Sequence, residues 1–214
     1  MKMETRRDNL YFGGSFNPIH HGHLLAARAV AERENYSRVI LIPSSQPPHK
    51  PKTADLAEAR HRLEMCRLAI AGEDQFGVDD LELARTGPSY TIHTARQLAQ
   101  RAPAGSGSGG VRKAHWLIGA DMLNSLPSWH EPQALLREVH FVILTRPGWS
   151  LDWASMPPEY RHLADQVVTG PLMTLSGTEI RRRVSTGQSI AYFTPPAVCE
   201  YIRQNRLYTT QPSE

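Results

Sequence analysis

Short runs of apolar residues recur along the chain, separated by longer segments of mixed polarity. Several runs, such as VILIP within Arg38–Pro43 and FVILT at Phe141–Thr145, are continuously apolar instead of alternating, which is typical of parallel strands buried on both faces. The runs predict six strands, at Asn9–Phe12, Arg38–Pro43, Phe76–Asp79, His115–Gly119, Phe141–Thr145 and Val167–Val168. The strand pattern therefore favours a parallel sheet.

Between these runs, apolar residues return at helical spacing, with capping residues or glycine near the ends. The predicted helices are Leu24–Val30, Ala57–Ala71, Ala95–Gln100, Ser176–Val184 and Pro195–Gln204, with further helical material between Gly119 and Phe141. Alternating strands and helices predict an α/β fold: a Rossmann-like, doubly wound, mostly parallel sheet with helices on both faces. In such sheets ligands bind in the crevice beyond the carboxyl ends of the strands.

Three stretches lack either periodicity. Ser44–Leu56 is rich in proline, Arg101–Lys113 is rich in glycine and serine, and Pro147–Leu163 shows no regular pattern. We expect the first to be a loop over the strand ends and the second a flexible surface loop. Residues 1–214 are thus predicted to form a single domain, with a flexible loop near 101–113 and a C-terminal helical part near 176–208.

Composition narrows the class of protein. The 214 residues are 40% hydrophobic, enough for one domain with a proper core, and the net charge of +3 is mild and dispersed. This favours small anions over nucleic acid as partners. Cys66 and Cys199 lack metal-site or disulfide spacing, and no apolar run reaches the ~18 residues of a membrane span. With no signal-peptide pattern, we expect a soluble cytoplasmic protein with reduced cysteines.

The candidate chemistry begins at GGSFNPIHHGH, from Gly13 to His23. Here a strand ends in two glycines, which we expect to turn the backbone sharply, and a helix opens just after the His-Gly-His. Unpaired N–H groups and the helix dipole favour phosphate at such a helix mouth. His20 and His23, with Gly22 between them, can both face that anion. A bare pair of histidines at this spacing is more often a solvated face or part of a core, but the glycines and the preceding strand favour the phosphate site.

This motif is similar to the G-x-[ST]-F-[DN]-P-x-H-x-G-H signature of the nucleotidylyltransferase superfamily. The resemblance extends over nearly the whole chain to bacterial-type nicotinate mononucleotide adenylyltransferases. Further matching segments are PPHK (47–50), PSYT (88–91), IGAD (118–121) with PSWHE (127–131), TRPG (145–148) and LSGTEIR (175–181). The last resembles the superfamily's I-S-x-T-x-I-R motif. Two departures are Asn17, often aspartate in relatives, and His93, where several relatives carry another polar residue.

The resemblance implies transfer of an adenylyl group from ATP to nicotinate mononucleotide, giving nicotinate adenine dinucleotide and pyrophosphate in NAD biosynthesis. It implies His20, His23 and Arg181 as catalytic residues. For ATP it implies Gly13, Gly14, Ser15, Phe16, His20, Gly22, His23, Gly119, Asp121, Ser176, Thr178 and Arg181. For the mononucleotide it implies Ser15, Asn17, His49, Lys50, Ser89, Tyr90, Thr91, Trp129 and Arg146. Mg²⁺ is expected to arrive on the ATP phosphates, without protein metal ligands.

The residues themselves support parts of this assignment. Ser176, Thr178 and Arg181 combine a helix N-terminus, hydroxyls and a guanidinium, which suits phosphate, although alone they would indicate a capped surface helix. Asp121 suits ribose hydroxyls, or the cap of the next helix. Trp129 suits stacking on a flat ring, or a place in the core.

No residue has the context of a covalent nucleophile, so direct in-line displacement is favoured. Three alternatives remain at this point. The first is pantetheine-phosphate or cytidylyl transfer by a relative sharing the histidine motif. The second is a nucleotide-sensing module without turnover, and the third is a Rossmann-like nucleic-acid-binding domain. The sequence also leaves open whether the chain forms a homo-oligomer.

Overall fold

Six strands form one sheet in the computed structural model, which describes residues 8–48, 55–101 and 113–209. The strands are β1 (Leu10–Gly14), β2 (Val39–Pro43), β3 (Phe76–Val78), β4 (Ala114–Gly119), β5 (Val139–Thr145) and β6 (Val167–Thr169). Their order is β3-β2-β1-β4-β5-β6, and each of these neighbouring pairs is parallel. This order reverses between β1 and β4, which is where doubly wound folds bind their ligands.

Helices connect the strands and cover the sheet. They are α1 (His21–Arg33), α2 (Ala59–Ala69), α3 (Thr91–Arg101), α4 (Ala120–Leu123), α5 (Pro132–Glu138), α6 (Gly177–Ser185) and α7 (Pro196–Gln204), with 3₁₀ turns at Leu126–Ser128 and Pro158–Gln166. No helix in the described ranges is long and apolar enough to cross a membrane.

Successive strand residues pack into two separate cores, one on each face of the sheet. On β4, Leu117 belongs to the core shared with α1, α2 and α7, whereas Trp116 and Ile118 belong to the core shared with α3, α4 and α5. Both faces must be apolar because helices cover both, which explains the continuous apolar runs. The predicted fold class is confirmed, with the sheet fully parallel in the described part of the chain.

An opening lies between the central strands. β1 pairs with β4 at Leu10 and Tyr11, but β1 continues to Gly14 and β4 to Gly119. Beyond Tyr11 and Trp116 these two strands pair only with their outer neighbours, β2 and β5, which leaves room for a ligand at the switch point.

The first motif differs from the prediction in its details. Gly13 and Gly14 are not a turn but the last residues of β1, and the left-handed residue is Phe16, at φ 43°. The absent side chain of Gly13 is explained by packing, because a Cβ there would collide with the ring of Trp116. Helix α1 begins at His21, inside the His-Gly-His and not after it, with His20 as its N-cap.

Two segments were predicted to lack regular secondary structure. The stretch Pro147–Leu163 is not irregular throughout, because a 3₁₀ helix occupies Pro158–Gln166 and buries Tyr160 and Leu163. The glycine- and serine-rich segment predicted to be a flexible loop falls largely on residues 102–112, which lie outside the described residues. The single-domain assignment of 1–214 stays a prediction.

Candidate active site

A cavity of about 790 Å³ opens at the carboxyl ends of the central strands. Every predicted site residue within the described ranges lines it. These residues are Gly13, Gly14, Ser15, Phe16, Asn17, His20, Gly22, His23, Ser89, Tyr90, Thr91, Gly119, Asp121, Trp129, Arg146, Ser176, Thr178 and Arg181. His49 and Lys50 lie outside the described residues, so their assignment to the mononucleotide remains a prediction.

The two motif histidines form a stacked pair at the start of α1. Their ring centroids are 3.7 Å apart at an interplanar angle of 25°. The backbone N–H of His20 donates to Nδ1 of His23 across 3.3 Å, which fixes the orientation of the second ring. A Cβ on Gly22 would come within 2.9 Å of Nδ1 of His20, so glycine keeps this approach open.

His20 is the more buried member of the pair, with 5% of its surface exposed. Burial, helped by the neighbouring His21, lowers the pKa of His20 to about 4. Among the described residues its Nδ1 has no hydrogen-bond partner. A neutral imidazole with an unsatisfied ring nitrogen in a cavity wall is suited to accept a proton when an anion binds beside it.

The pKa of His20 predicts a pH dependence of stability. An unfolded histidine binds a proton near pH 6.5, whereas folded His20 does so only near pH 4, so acid favours the unfolded chain below about pH 6.5. Between pH 7.5 and pH 5, we expect the free energy of unfolding to fall by about 2 kcal/mol more in the unmodified protein than in His20→Gln. Denaturant unfolding at both pH values measures this difference, and equal losses in the two proteins would contradict the burial of a neutral His20.

The second predicted phosphate site lies at the N-terminus of α6. Ser176 is the N-cap, and its Oγ accepts a hydrogen bond from the backbone N–H of Glu179 across 3.2 Å, as the sequence predicts. One turn further, Arg181 donates from its guanidinium to the backbone carbonyl of Asn17 across 2.8 Å. This hydrogen bond therefore links the first turns of α6 to the loop that leads into α1.

Arg181 has a second partner that the sequence does not reveal. Its Nε donates to Oδ2 of Asp55 across 2.8 Å, and a second guanidinium nitrogen lies 2.7 Å from the same oxygen. The Arg181 side chain is 18% exposed and that of Asp55 49% exposed. A phosphate approaching Arg181 must therefore share the guanidinium with Asp55 or displace it.

The Asn17 side chain connects segments far apart in the chain. Its amide donates to the backbone carbonyl of Asp55, and its carbonyl accepts from the N–H of Ala57 and the hydroxyl of Tyr208. An aspartate here could not donate to a carbonyl, which explains asparagine at this position. These contacts hold the loop after residue 54 against the first motif, and the role of Asn17 toward the mononucleotide stays a prediction.

The opposite end of the cavity is built around the N-terminus of α3. The helix begins at Thr91, directly after Tyr90, whose ring stacks on His130 at 4.1 Å. The buried Ser89 hydroxyl accepts from the backbone N–H of Ser45 across 2.9 Å, so it also anchors the proline-rich loop.

Trp129 is half-buried at the same end, and its Nε1 donates to Oγ of Ser125 across 3.1 Å. This hydrogen bond fixes the indole in the cavity wall. Trp116 borders the same cavity, but it is 3% exposed and belongs to the core. An aromatic wall and a helix N-terminus thus meet at this end.

Asp121 and Arg146 follow β4 and β5 respectively. Gly119 is the N-cap of α4, so Asp121 does not cap that helix but lies exposed in its first turn. A Cβ on Gly119 would collide with the carboxylate of Asp121, which means that the carboxylate folds over the strand end. Arg146 is exposed, and its guanidinium lies 5.9 Å from the centre of the Trp149 ring.

Two supporting residues were missed by the sequence analysis. Arg62, on α2, is 1% exposed and donates to the backbone carbonyls of Ser15 and Ser45. These two serines lie just after the carboxyl ends of β1 and β2. Glu82 is 4% exposed, and its carboxylate accepts from Thr94, while burial raises its pKa. The sequence gives no signal that Arg62 is buried, because charged residues also occur throughout the solvent-exposed face of an amphipathic helix.

Comparisons with known proteins identify the family of this chain. The cytidylyltransferase-like family matches residues 11–183. A probable nicotinate-nucleotide adenylyltransferase of Synechococcus sp. (strain JA-3-3Ab) is 40% identical over 202 residues, covering 92% of each chain. A second, from Yersinia pestis (strain Pestoides F), is 37% identical and covers 97% of this chain and 99% of its own.

A solved structure shows the same fold at much lower identity. It is the Plasmodium falciparum nicotinic acid mononucleotide adenylyltransferase complexed with NaAD, with a TM-score of 0.73 and 18% identity over 95% of this chain and 98% of that one. The family match at residues 11–183 contains the segments around His20, Trp129 and Arg181, and the two relatives align with more than nine-tenths of the chain. The chain therefore belongs to the cytidylyltransferase-like family and, within it, to the nicotinate-nucleotide adenylyltransferases.

Proposed function

We propose that this protein joins ATP and nicotinate mononucleotide into nicotinate adenine dinucleotide and pyrophosphate, as the names of its relatives imply. One observation carries the proposal: two helix N-termini, at His20 and Ser176, are joined through Arg181 and Asn17 beside a single cavity. Such termini bind phosphate oxygens through backbone N–H groups and the helix dipole. The pair suits a triphosphate, whose charge extends over both.

The reaction is an in-line displacement at the α-phosphorus of ATP. A phosphate oxygen of the mononucleotide forms the new P–O bond, and the bond to the β-phosphate bridging oxygen breaks, releasing pyrophosphate. The protein supplies position and charge stabilisation, without a covalent intermediate. His20, His23 and Arg181 face the phosphates on which negative charge develops. The negative charge of a bound triphosphate opposes the effect of burial on the pKa of His20 and favours an imidazolium, whose proton comes from solvent.

Mg²⁺ is part of the nucleotide substrate in this proposal. It binds the triphosphate oxygens and water, and it neutralises charge on the leaving pyrophosphate. Asp121, exposed at the strand ends, and Asp55, paired with Arg181, are carboxylates in the cavity wall. Neither is needed as a metal ligand, because Mg²⁺ usually retains several waters at nucleotide sites.

The acceptor binds at the end of the cavity formed by Trp129 and the start of α3. Trp129 stacks on the pyridine ring, since its indole is fixed in the wall by Ser125. The Thr91 hydroxyl and neighbouring backbone N–H groups hold the nicotinate carboxylate. A helix N-terminus favours this negative charge, which nicotinamide lacks.

A pyrophosphate-release assay tests the function. The protein is given MgATP together with nicotinate mononucleotide, nicotinamide mononucleotide or phosphopantetheine. In a separate reaction it is given CTP in place of ATP, together with a phosphorylated alcohol. We expect efficient release with nicotinate mononucleotide. Release with phosphopantetheine alone, or nucleotide binding with no release from any pair, would refute the proposal.

The acceptor pocket predicts a preference for the acid. Donors that pair well with a carboxylate are poorly matched by the NH₂ of an amide, at a cost of roughly 1 to 3 kcal/mol. We therefore expect kcat/KM for nicotinate mononucleotide to exceed that for nicotinamide mononucleotide by about tenfold or more. Steady-state kinetics with both acceptors measures the ratio.

Two variants separate the contributions to this preference. Trp129→Ala should weaken the binding of both mononucleotides by a similar factor, because stacking does not distinguish acid from amide. Thr91→Ala should instead reduce the ratio of kcat/KM between nicotinate and nicotinamide mononucleotide. Equal efficiency with both acceptors in the unmodified protein would refute the carboxylate pocket and leave adenylyl transfer standing.

A further inference from the structure

Three potential metal ligands converge beside the cavity, and one of them, His130, lines its wall next to Trp129. They are His93, in the first turn of α3, and the consecutive residues His130 and Glu131, which precede α5. One ligand atom of each lies within 4.8 Å of the other two. Nε2 of His93 is 3.9 Å, and Nε2 of His130 is 3.6 Å, from Oε1 of Glu131.

These separations approach those of a metal site. With bonds of about 2.0 to 2.2 Å, ligand atoms on a tetrahedral ion lie about 3.4 Å apart. The two histidine-to-carboxylate distances are close to that value, and the side chains are 37 to 45% exposed, so small rotations can close the set. Three ligands on one side leave a further position for water.

The surrounding residues hold the ligands in place. Arg96 donates to both oxygens of Glu131, across 3.1 and 2.7 Å, and also pairs with Glu138. Partners of this kind orient metal-bound carboxylates. The ring of Tyr90 stacks on His130 and meets His93 edge-on at 5.6 Å, which limits the freedom of both imidazoles.

We propose that His93, His130 and Glu131 form a binding site for a divalent transition-metal ion of the Zn²⁺ type. Two imidazoles and one carboxylate suit Zn²⁺, Co²⁺ or Ni²⁺, whereas Mg²⁺ prefers oxygen ligands alone. The site is therefore chemically distinct from the Mg²⁺ that accompanies ATP. His93 lies 37 positions before His130 in the chain, so the ligands come together only in the fold.

A bound ion would join α3 to the turn that carries Trp129. His130 and Glu131 directly follow Trp129, and His93 is two residues from Thr91, so the metal would fix both sides of the acceptor end together. Ordering this turn in advance reduces the entropy cost of acceptor binding. This consequence rests on the proposed function, whereas metal binding itself does not.

Metal titration of the full-length, tag-free protein, stripped with chelator, tests the site. We expect one equivalent of Co²⁺ to give the visible absorption of a four- or five-coordinate ion and to be displaced by Zn²⁺. His93→Gln and Glu131→Gln should each weaken Zn²⁺ binding by more than about tenfold. His61→Gln is the control, because His61 pairs with Tyr201 on α7 instead. Zn²⁺ affinity that His93→Gln and His61→Gln reduce equally, or not at all, would overturn the proposal.

The kinetics of the acceptor, nicotinate mononucleotide, test the effect of the metal on the pocket. A metal buffer keeps the free Zn²⁺ concentration low enough for ATP to remain bound to Mg²⁺. Saturating the site should lower the KM for nicotinate mononucleotide severalfold in the unmodified protein and not in His93→Gln, with the KM for ATP unchanged. Bound Zn²⁺ with an unaltered acceptor KM would overturn the coupling to the acceptor pocket. A protein that binds Zn²⁺ as described but releases no pyrophosphate would instead refute the proposed function.

Discussion

His20→Ala and His23→Ala are each expected to lower kcat by about 10² to 10³ while changing ATP affinity much less. The two rings stack at the start of α1, where backbone N–H groups already hold phosphate in the ground state. The imidazoles contribute most of their stabilisation in the transition state, when negative charge builds on the leaving pyrophosphate. Interactions that strengthen in the transition state affect kcat more than they affect ATP binding. Steady-state kinetics and nucleotide titration measure the two effects separately.

His21→Ala is the matched control for these variants. It removes a histidine from the same motif, but His21 lines a separate cavity beside α7, and its charge is only the smaller of the two causes that lower the pKa of His20. We expect its kcat to stay close to that of the unmodified protein. Near-normal turnover in His20→Ala or His23→Ala, with folding intact, would remove that residue from the catalytic assignment.

The elements that the sequence predicts well are those with strong local patterns. The run VILIP is continuously apolar because β2 is covered on both faces, so its position was predictable to within one residue. Ser176 is a residue type that caps helices, and it does cap α6. Periodicity and capping act over a few residues, which is why one sequence reveals them.

Features that depend on tertiary contacts were predicted less well. The glycines at 13 and 14 suggested a turn, but their absent side chains serve packing against Trp116 and Phe16, whose positions come from the fold. Helix α1 starts earlier than its apolar pattern because Gly22 and His23 face the cavity and not the core. Polar residues at a ligand site obscure the periodicity that marks a helix.

Long-range polar pairs left no signal at all. Arg181 and Asp55 are 126 positions apart, and Asn17 and Tyr208 are 191 apart. A single sequence gives the residue types but not which of them meet. The predicted site residues that the structure describes nevertheless line one cavity, because parallel strands bring their carboxyl ends to the same edge of the sheet.

The largest expected effect on stability comes from Arg62. Its guanidinium is buried and donates to the carbonyls of Ala57, Ser15 and Ser45 across 2.8, 2.8 and 3.1 Å, so one side chain satisfies three loop carbonyls. Burial lowers the pKa of Arg62, and the nearby Glu82 opposes that shift. We expect Arg62→Met, which keeps the length of the side chain, to lower the free energy of unfolding by about 3 to 5 kcal/mol, because three carbonyls lose their charged hydrogen-bond donor.

Urea denaturation measures this loss, and Arg67→Met is the control. Arg67 lies on the same helix, but its side chain is 52% exposed and pairs with Asp80 at the surface, so its removal should cost less than about 1 kcal/mol. Equal losses in the two variants would show that the buried hydrogen bonds of Arg62 contribute no more than a surface pair. Because Ser15 follows β1 at the cavity and Ser45 follows β2, Arg62→Met should also raise the KM for ATP, an effect that Arg67→Met should not produce.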